Sequence, residues 1–274
     1  ACDTEYLLLY WSINMSNDIK KTMPIGVFDS GLGGISVLRE IVSLMPEENY
    51  IYYGDSAHAP YGTKPLDEIR RLSEADMSFL LDRHVKAIVI ACNTATAASA
   101  EILREKYPDI PIIGIEPALK PAVLWKPHDR VAVMATPMTL KQEKFQNLMH
   151  HYETASEIYT VPCPGLADLV EQYELTGPKI TKYLTDILAP VLEKDIDAIV
   201  LGCTHYPFVE PVIREIVGPN VKIFNGSHGT AVELKRRLME NGIKNDSTVH
   251  GTIEIYNSNS DDKTLEMCKR LLNS

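Results

Sequence analysis

The sequence predicts an α/β protein made of two similar halves, each with a mostly parallel β-sheet and a cleft between them. Short apolar runs alternate with longer amphipathic stretches along the 274 residues, the pattern of βα units around a parallel sheet. One sequence motif also occurs twice: Ala-Ile-Val followed by a cysteine is found within residues 85–94 and again within residues 196–205. These cysteines, Cys92 and Cys203, indicate an internal duplication in which each half offers one thiol to a shared cleft.

Composition narrows the class of protein. Hydrophobic residues make up 45% of the chain, enough to bury a core, which excludes a disordered chain. The net charge of −10 argues against a nucleic-acid surface, which usually needs a basic stripe. The five cysteines are widely spaced in a long chain, so we interpret them as reduced thiols of a cytoplasmic protein. No apolar run approaches the roughly 20 residues of a membrane span.

The predicted elements follow in chain order. Eight apolar runs are predicted strands, in corresponding order in the two halves: Ile25–Asp29, Tyr50–Gly54, Ala87–Ala91 and Pro111–Ile115, then Arg130–Ala135, Ala155–Val161, Ala198–Gly202 and Val221–Phe224. A helix is predicted after Thr63, with Pro65 at its first position, which suits proline. Further helices are predicted over Lys179–Leu192, between Gly229 and Asn241, and over Asp261–Leu272.

Prolines mark the predicted domain boundary. Pro117 and Pro121 interrupt the chain near 115–121, and a second crossing near 224–230 would return the tail to the first half. The predicted first domain is therefore 23–116 plus 226–274, and the second is 117–225. Met15 and Met23 both look like starts, so we interpret residues 1–22 as an N-terminal extension that is flexible or of artificial origin.

Each repeated cysteine follows the carboxyl end of a predicted buried strand, the end that lines the ligand crevice in open α/β sheets. Polar residues come next: Asn93 and Thr94 in one half, Thr204 and His205 in the other. If a helix begins there, its N-terminus lowers the thiol pKa and favours the thiolate. The alternatives are two inert core cysteines, or a metal site of Cys92, Cys203 and His205, for which neighbouring ligands are lacking.

Two other strand ends carry candidate residues. The turn Asp29–Gly34 is rich in glycine, which permits close approach to a ligand, yet it matches neither nucleotide-loop pattern. Asp29 has the alternative role of a helix cap. In the second half, Glu171 follows Cys163-Pro164. Without its context, Glu171 would be interpreted as a solvated surface carboxylate. The loop Asp55–Gly62 either lines the cleft floor or simply connects two elements.

Together these phrases resemble the cofactor-independent glutamate racemases of bacteria. The resemblance spans nearly everything from Pro24 onward, and the combination is far more specific than any one phrase. The matching phrases are Ile25–Gly34, Tyr53–Asp55 with Ala59–Gly62, Ala91–Ala95, Gly114–Pro117, Cys163-Pro164 with Glu171, and Gly202–Pro207.

The resemblance implies a two-domain α/β fold with the active site between the domains and no cofactor or metal. It implies that Cys92 and Cys203 act as thiolate base and thiol acid on opposite faces of glutamate, with Asp29 assisting near Cys92, and Glu171 and His205 near Cys203. The implied substrate contacts are Asp29, Ser30, Tyr61, Gly62, Asn93, Thr94, Thr204 and His205, with a looser match at Thr136 and Thr139. We also expect a homodimer that supplies D-glutamate for peptidoglycan and binds neither nucleic acid nor membrane.

Three other functions stay open from the sequence. An aspartate racemase would use the same pair of thiols, although His205-Tyr206-Pro207 is more similar to the glutamate enzymes. An amino-acid-binding protein would keep the cleft without catalysis, because the site and not the fold decides function. A thiol hydrolase would use one cysteine with His205 as its base.

Overall fold

The structure, a computed structural model, describes residues 16–126, 129–259 and 261–274. Within this part of the chain the strands form two sheets, and every strand pairing in them is parallel. The strands are β1 Ile25–Asp29, β2 Tyr50–Gly54, β3 Ala87–Ile90, β4 Ile112–Gly114, β5 Arg130–Ala135, β6 Glu157–Pro162, β7 Ala198–Leu201, β8 Lys222–Asn225 and β9 Ile253–Asn257.

The two sheets share one strand order. The first runs β4-β3-β1-β2-β9 and the second β6-β5-β7-β8, so β8, β7, β5 and β6 correspond to β4, β3, β1 and β2. The predicted α/β class with two similar parallel sheets is confirmed. The strand β9, which pairs with β2, was missing from the prediction, although the alternation of Ile253, Glu254 and Ile255 is its signal.

Helices connect the strands and cover the sheets. In chain order they are α1 Asn17–Thr22, α2 Ile35–Leu44, α3 Leu66–Leu81, α4 Asn93–Lys106, α5 Leu119–Val123, α6 Pro137–Lys141, α7 Glu143–Tyr152, α8 Leu166–Glu171, α9 Pro178–Leu192, α10 Glu210–Val217, α11 Ser227–Glu240 and α12 Asp262–Leu272. Short 3-10 turns occupy Ser56–His58, Tyr61–Thr63 and Tyr206–Val209. Pro65 is the N-cap of α3 rather than its first residue, since a proline in an extended conformation ends the preceding turn.

The strands that lead to the two cysteines are fully buried. All residues of β1, β3 and β7 are buried, because helices cover both faces of a parallel sheet. After β8 the chain returns to the first half, where α11 and α12 both pack on α2. The return of the chain to the first half is compatible with the predicted domain bounds, 23–116 with 226–274 and 117–225, which we keep as a proposal.

The predicted N-terminal extension is only partly described. Residues 1–15 lie outside the described residues, and α1 is in contact with the first half. The Lys86 ammonium donates to the Lys21 carbonyl at 2.5 Å, and the Asn49 amide donates to the Thr22 carbonyl at 2.9 Å. These contacts involve the carbonyls of the last two residues of α1, which has no buried residue, and the interpretation of residues 1–22 as an extension stays a prediction.

Lys86, which contacts the Lys21 carbonyl, also forms a buried ion pair, and this pair leads to a prediction about the free energy of unfolding. Lys86 Nζ lies 2.5 Å from Glu48 Oε2, and both side chains are 0% exposed. We expect Glu48→Gln to lower the free energy of unfolding by about 3–5 kcal/mol, because it leaves a buried ammonium without its counter-charge. Urea unfolding measures this change, with Glu68→Gln, from the partly exposed pair with Lys64, as the matched control at under about 1 kcal/mol. Equal effects of the two substitutions would contradict it.

In the described part of the chain, no helix is both long enough and apolar enough to cross a membrane.

Candidate functional site

The two repeated cysteines lie at equivalent strand ends and face one site. Cys92 follows β3 and is the N-cap of α4, where its Sγ accepts a hydrogen bond from the Ala95 amide at 3.4 Å. Cys203 follows β7 in the other half. The side chains are almost buried, with the residues 6% and 8% exposed. Cys92 contacts the Ser30 hydroxyl, while Asp29, the neighbour of Ser30, accepts a hydrogen bond from Thr204, the neighbour of Cys203. The structure therefore brings the two predicted thiols together.

The surroundings of Cys92 raise the pKa of its thiol, whereas the sequence predicts that the helix after it lowers that pKa. A helix does begin after Cys92, as predicted, and its Sγ lies 3.6 Å from the Ser30 hydroxyl. However, burial, followed by the nearby Asp29 carboxylate, raises the pKa of Cys92 to about 12. The prediction of a lowered thiol pKa was wrong for this cysteine, because desolvation of a thiolate outweighs the amide donor of one helix turn. At neutral pH Cys92 is thus a protonated thiol.

Cys203 has a different set of partners. Its Sγ lies 3.6 Å from His205 Nδ1, and His205 Nε2 lies 2.6 Å from Glu171 Oε1. Burial lowers the pKa of His205, but the hydrogen bonds to Cys203 and Glu171 outweigh it and raise that pKa well above its usual value. A cationic His205 stabilises negative charge on the neighbouring sulfur. The predicted grouping of Glu171 and His205 around Cys203 agrees with this geometry.

The glycine-rich turn after β1 packs directly on this group. The Leu32 amide donates to Glu171 Oε1 at 2.6 Å. A Cβ built on Gly31 would lie 1.9 Å from Glu171 Oε1, and one on Gly33 would lie 2.3 Å from His205 Nδ1. The glycines are therefore needed for close approach of the other half of the protein, so the alternative of a nucleotide loop has no support here.

This contact gives a testable prediction at Gly33. We expect Gly33→Ala to reduce turnover by at least about tenfold, because a methyl group would displace the His205 ring from Cys203 by an ångström or so. The measurement is steady-state turnover together with thermal unfolding. Gly229→Ala is the matched control, since nothing lies within 4 Å of its Cβ position, and it should keep full activity. Normal turnover in Gly33→Ala would mean that the His205 position does not matter.

Asp29 links the two halves at the base of the site. It is fully buried, and its carboxylate accepts hydrogen bonds from the Gly31 amide at 2.9 Å and the Thr204 hydroxyl at 3.0 Å. Burial raises the pKa of Asp29, and the charge of His205 opposes that rise. The alternative of a helix cap is wrong, because α2 has Gly34 as its N-cap without a side-chain cap.

A second polar group crosses the cleft beside Cys92. The hydroxyl of Thr94 lies 3.2 Å from those of both Thr136 and Thr139, which are 3.0 Å apart. Asn93 is 5% exposed, and neither its side-chain oxygen nor its nitrogen has a hydrogen-bond partner among the described residues. A buried amide left unpaired is costly, so Asn93 is available for a polar ligand.

The last two predicted contacts lie on the 3-10 turn after β2. Gly62 approaches the second half so closely that a Cβ there would lie 2.8 Å from Thr136 Cβ. Tyr61 is 0% exposed, and its phenol contacts Asp55 and Asp76 inside the first half. The structure therefore leaves only the backbone of Tyr61 for contact with a ligand, whereas the sequence prediction did not distinguish its backbone from its side chain.

Sequence reasoning missed Ser36 and Asp76, which support the site, and included Ser56 only as part of the Asp55–Gly62 loop. Ser36 donates to the Thr204 carbonyl at 2.8 Å, Ser56 donates to Glu171 at 3.4 Å, and Asp76 lies beneath Tyr61. An aspartate on the otherwise apolar face that includes Leu72 and Leu80 is the one signal that the sequence offered.

Among the described residues, no group of three or more His, Cys, Asp or Glu side chains could hold a metal ion.

Comparison with known proteins gives one consistent family. The family model described as Asp/Glu/Hydantoin racemase matches residues 25–232. A curated relative, the glutamate racemase of Clostridium perfringens, is 55% identical over 258 residues, which cover 94% of this chain and 99% of the relative.

Solved structures agree with the sequence comparisons. The glutamate racemase isoform RacE1 from Bacillus anthracis superimposes with a TM-score of 0.84 at 31% identity, covering 93% of this chain and 95% of that one. The glutamate racemase of Francisella tularensis, solved in complex with D-glutamate, gives a TM-score of 0.81 at 31% identity with the same coverage.

Proposed function

The chain belongs to the Asp/Glu/Hydantoin racemase family, and we propose that it is a glutamate racemase, an isomerase that interconverts L- and D-glutamate. The observation that carries the proposal is the pair of nearly buried thiols at equivalent strand ends, Cys92 and Cys203, each with its own set of polar partners. Two acid/base groups on opposite sides of a substrate carbon are what inversion of that carbon needs.

The proposed mechanism moves one proton at each face. A thiolate on one side removes the α-proton of glutamate and becomes a thiol, leaving a planar carbanion. The thiol on the other side then donates its proton to the opposite face and becomes a thiolate. The reverse reaction exchanges the two roles. A single base would have to move between faces, which two fixed groups avoid.

The partners of the two cysteines suggest different resting states. Cys203 Sγ lies 3.6 Å from His205 Nδ1, and the hydrogen bonds to Cys203 and Glu171 keep His205 protonated, so we propose Cys203, with this cation beside it, as the first base. Burial and Asp29 keep the proton on Cys92, so this thiol is the acid. We propose that the site waits in this asymmetric state. After one conversion Cys203 carries the proton taken from the substrate and Cys92 has given its own away, so the starting state returns when Cys203 loses a proton to solvent and Cys92 gains one from it.

The substrate would be held by neutral donors around the cleft. Asn93 has a buried amide without a partner among the described residues, and Ser30, Thr94 and Thr204 contribute hydroxyls. Such donors stabilise the charge that develops on the α-carboxylate as the proton leaves. Expulsion of water by the substrate strengthens each of these interactions.

Proton NMR in D₂O tests the function directly. The chain is incubated with L-glutamate and, in parallel, L-aspartate, without added cofactor or metal. We expect loss of the α-proton signal and of optical rotation for glutamate only. Exchange with aspartate alone would make the chain an aspartate racemase, and binding of glutamate without exchange would make it a binding protein. Covalent capture of substrate on one cysteine would instead indicate a thiol hydrolase.

We further propose that the D-glutamate feeds peptidoglycan synthesis in the cytoplasm of a walled bacterium. The four cysteines of the described residues are all free, which fits a reducing compartment. Expression of the chain should let a bacterium that cannot make D-glutamate grow without it. Expression of Cys92→Ala should not, and growth with that variant would contradict the proposal.

A homodimer also remains a proposal, since the family resemblance suggests it. Sedimentation equilibrium should give twice the chain mass of 30.6 kDa at micromolar concentration. A single species of monomer mass would exclude it.

A further inference from the structure

We propose that Asp76 is a positioning residue that keeps its proton at neutral pH and thereby fixes the Tyr61–Thr63 turn where it packs on Thr136 of the second half. Asp76 lies on α3 and is 2% exposed. Nothing in the two-thiol mechanism uses it. Only the kinetic part of this inference rests on the proposed function, because the protonation of Asp76 can be measured without any substrate.

The geometry of one phenol requires a protonated carboxyl group. The Tyr61 hydroxyl oxygen lies 2.7 Å from Asp55 Oδ2 and 2.9 Å from Asp76 Oδ2. A phenol carries one proton and can donate only one hydrogen bond. The second short oxygen–oxygen contact is attractive only if that carboxyl group supplies a proton to the phenol oxygen. One of the two aspartates is therefore neutral in this arrangement.

The neighbouring groups identify Asp76 as the neutral one. Asp55 has a second partner, because His58 Nδ1 lies 2.8 Å from its Oδ1 and the imidazole is half-exposed. Asp76 faces carboxylates instead, namely Asp55 beyond the turn and Asp29 from β1. Burial first, and then the charge of Asp55, raise the pKa of Asp76 to about 8. The phenol consequently donates to Asp55 and accepts from Asp76.

This three-group contact is connected to the site through two short paths. Gly62, next to Tyr61, packs on Thr136, whose hydroxyl lies 3.2 Å from that of Thr94. On the other side, the Asp55 amide donates to the Asp29 carbonyl at 2.9 Å. When Asp76 loses its proton, two carboxylates compete for the one phenol proton and the turn is no longer held. The expected consequence is weaker substrate binding with little change in the chemical step.

The first experiment compares unfolding of the intact chain and of Asp76→Asn, an uncharged variant of the same shape, across pH. In the unfolded chain an aspartate loses its proton near pH 4, whereas the folded chain keeps it to about pH 8. The folded state thus binds one more proton in that interval, so its stability falls as pH rises. We expect the urea midpoint of the intact chain to fall relative to the variant from pH 5 to 8 and to level off above.

An infrared difference spectrum of the intact chain and Asp76→Asn measures the protonation of Asp76 independently. The intact chain at pH 7 should show the carbonyl band of a protonated carboxylic acid that is absent in Asp76→Asn. A midpoint difference that does not change from pH 5 to 8, with no such band, would overturn the proposal. This outcome would leave the proposed function untouched, since neither measurement uses glutamate.

Kinetics then test the positioning role. We expect the KM for glutamate to rise above about pH 8 in the intact chain but not in Asp76→Asn, which still donates to the phenol. Asp76→Ala and Tyr61→Phe should raise the KM at pH 7 by about five- to tenfold, the equivalent of one buried hydrogen bond, with kcat nearly unchanged. Equal effects of Asn and Ala at position 76, or a loss confined to kcat, would reject the positioning role. Absence of racemisation in the unaltered chain would instead reject the proposed function.

Discussion

Replacement of either Cys92 or Cys203 by alanine is expected to abolish racemisation in both directions, with a loss of at least about 10³–10⁴-fold. The reason is that each turnover needs one group to remove the α-proton and another to supply a proton on the opposite face. Neither role can pass to a neighbour, because Ser30, which contacts Cys92, is far less acidic than a thiol, and His205 contacts Cys203 and so belongs to the same side as that thiol. Racemisation is measured by optical rotation from each pure enantiomer.

The two alanine variants should differ from each other in proton exchange. A chain with one remaining thiolate can still remove the α-proton from the enantiomer that presents it and return a deuteron to the same face. We therefore expect Cys92→Ala, which keeps Cys203 beside the His205 cation, to exchange the α-proton of one enantiomer in D₂O without inversion. Cys203→Ala keeps only Cys92, whose pKa is raised to about 12 by burial, so it should exchange that of the other enantiomer far more slowly. This pattern separates a two-base site from a site in which one cysteine acts alone.

Cys268→Ala is the matched control for both variants. Cys268 is fully buried in the core of the first half, so the same substitution there should lower stability slightly and leave turnover intact. Substantial racemisation by either Cys92→Ala or Cys203→Ala would exclude the two-thiol mechanism. Exchange of both enantiomers by one variant would point to a single mobile base.

Much of the fold and the central residues of the site could be predicted because their signals are local. A buried parallel strand requires a continuous apolar run, and the repeated Ala-Ile-Val before Cys92 and Cys203 identifies two such strands without any knowledge of their packing. The carboxyl ends of parallel strands meet at one edge of a sheet. Residues at these ends could therefore be grouped within each sheet, and the repeat predicted that the two groups share one cleft. Asp29 at the end of β1 and Thr204 after β7, from different sheets, are joined by a 3.0 Å hydrogen bond.

What the sequence could not predict depends on distant parts of the chain. The acidity of Cys92 follows from its burial and from Asp29 on another strand, while only the helix start after it is visible locally. The role of Asp76 depends on Tyr61 and Asp55, which come from a turn that precedes its helix. The strand β9 completes the first sheet only after the chain has passed through the second half. Burial and charge at such points are sums over many neighbours, so no short pattern encodes them.

Glu171→Gln should have the next largest effect after the loss of a thiol, and its effect should depend on pH. Glutamine keeps an oxygen for the Leu32 amide but removes the negative charge 2.6 Å from His205 Nε2. Because Glu171 helps to raise the pKa of His205, the variant should have a lower His205 pKa and a smaller fraction of imidazolium beside Cys203. We expect turnover to fall by about 10²-fold near pH 8.

The pH profile distinguishes this electrostatic role of Glu171 from simple structural support. Lowering the pKa of His205 shortens the pH range in which the imidazolium exists, so the alkaline limb of kcat/KM should move to lower pH and the loss should shrink toward acid pH. Glu174→Gln, a partly exposed carboxylate that pairs with Lys179 just after the same helix, is the matched control and should leave the profile unchanged. A loss of equal size at every pH would mean that Glu171 only holds the Leu32 turn in place. The imidazolium would then have no part in keeping negative charge on Cys203, and the asymmetry between the two thiols would have to come from the burial of Cys92 and from the Asp29 carboxylate beside it.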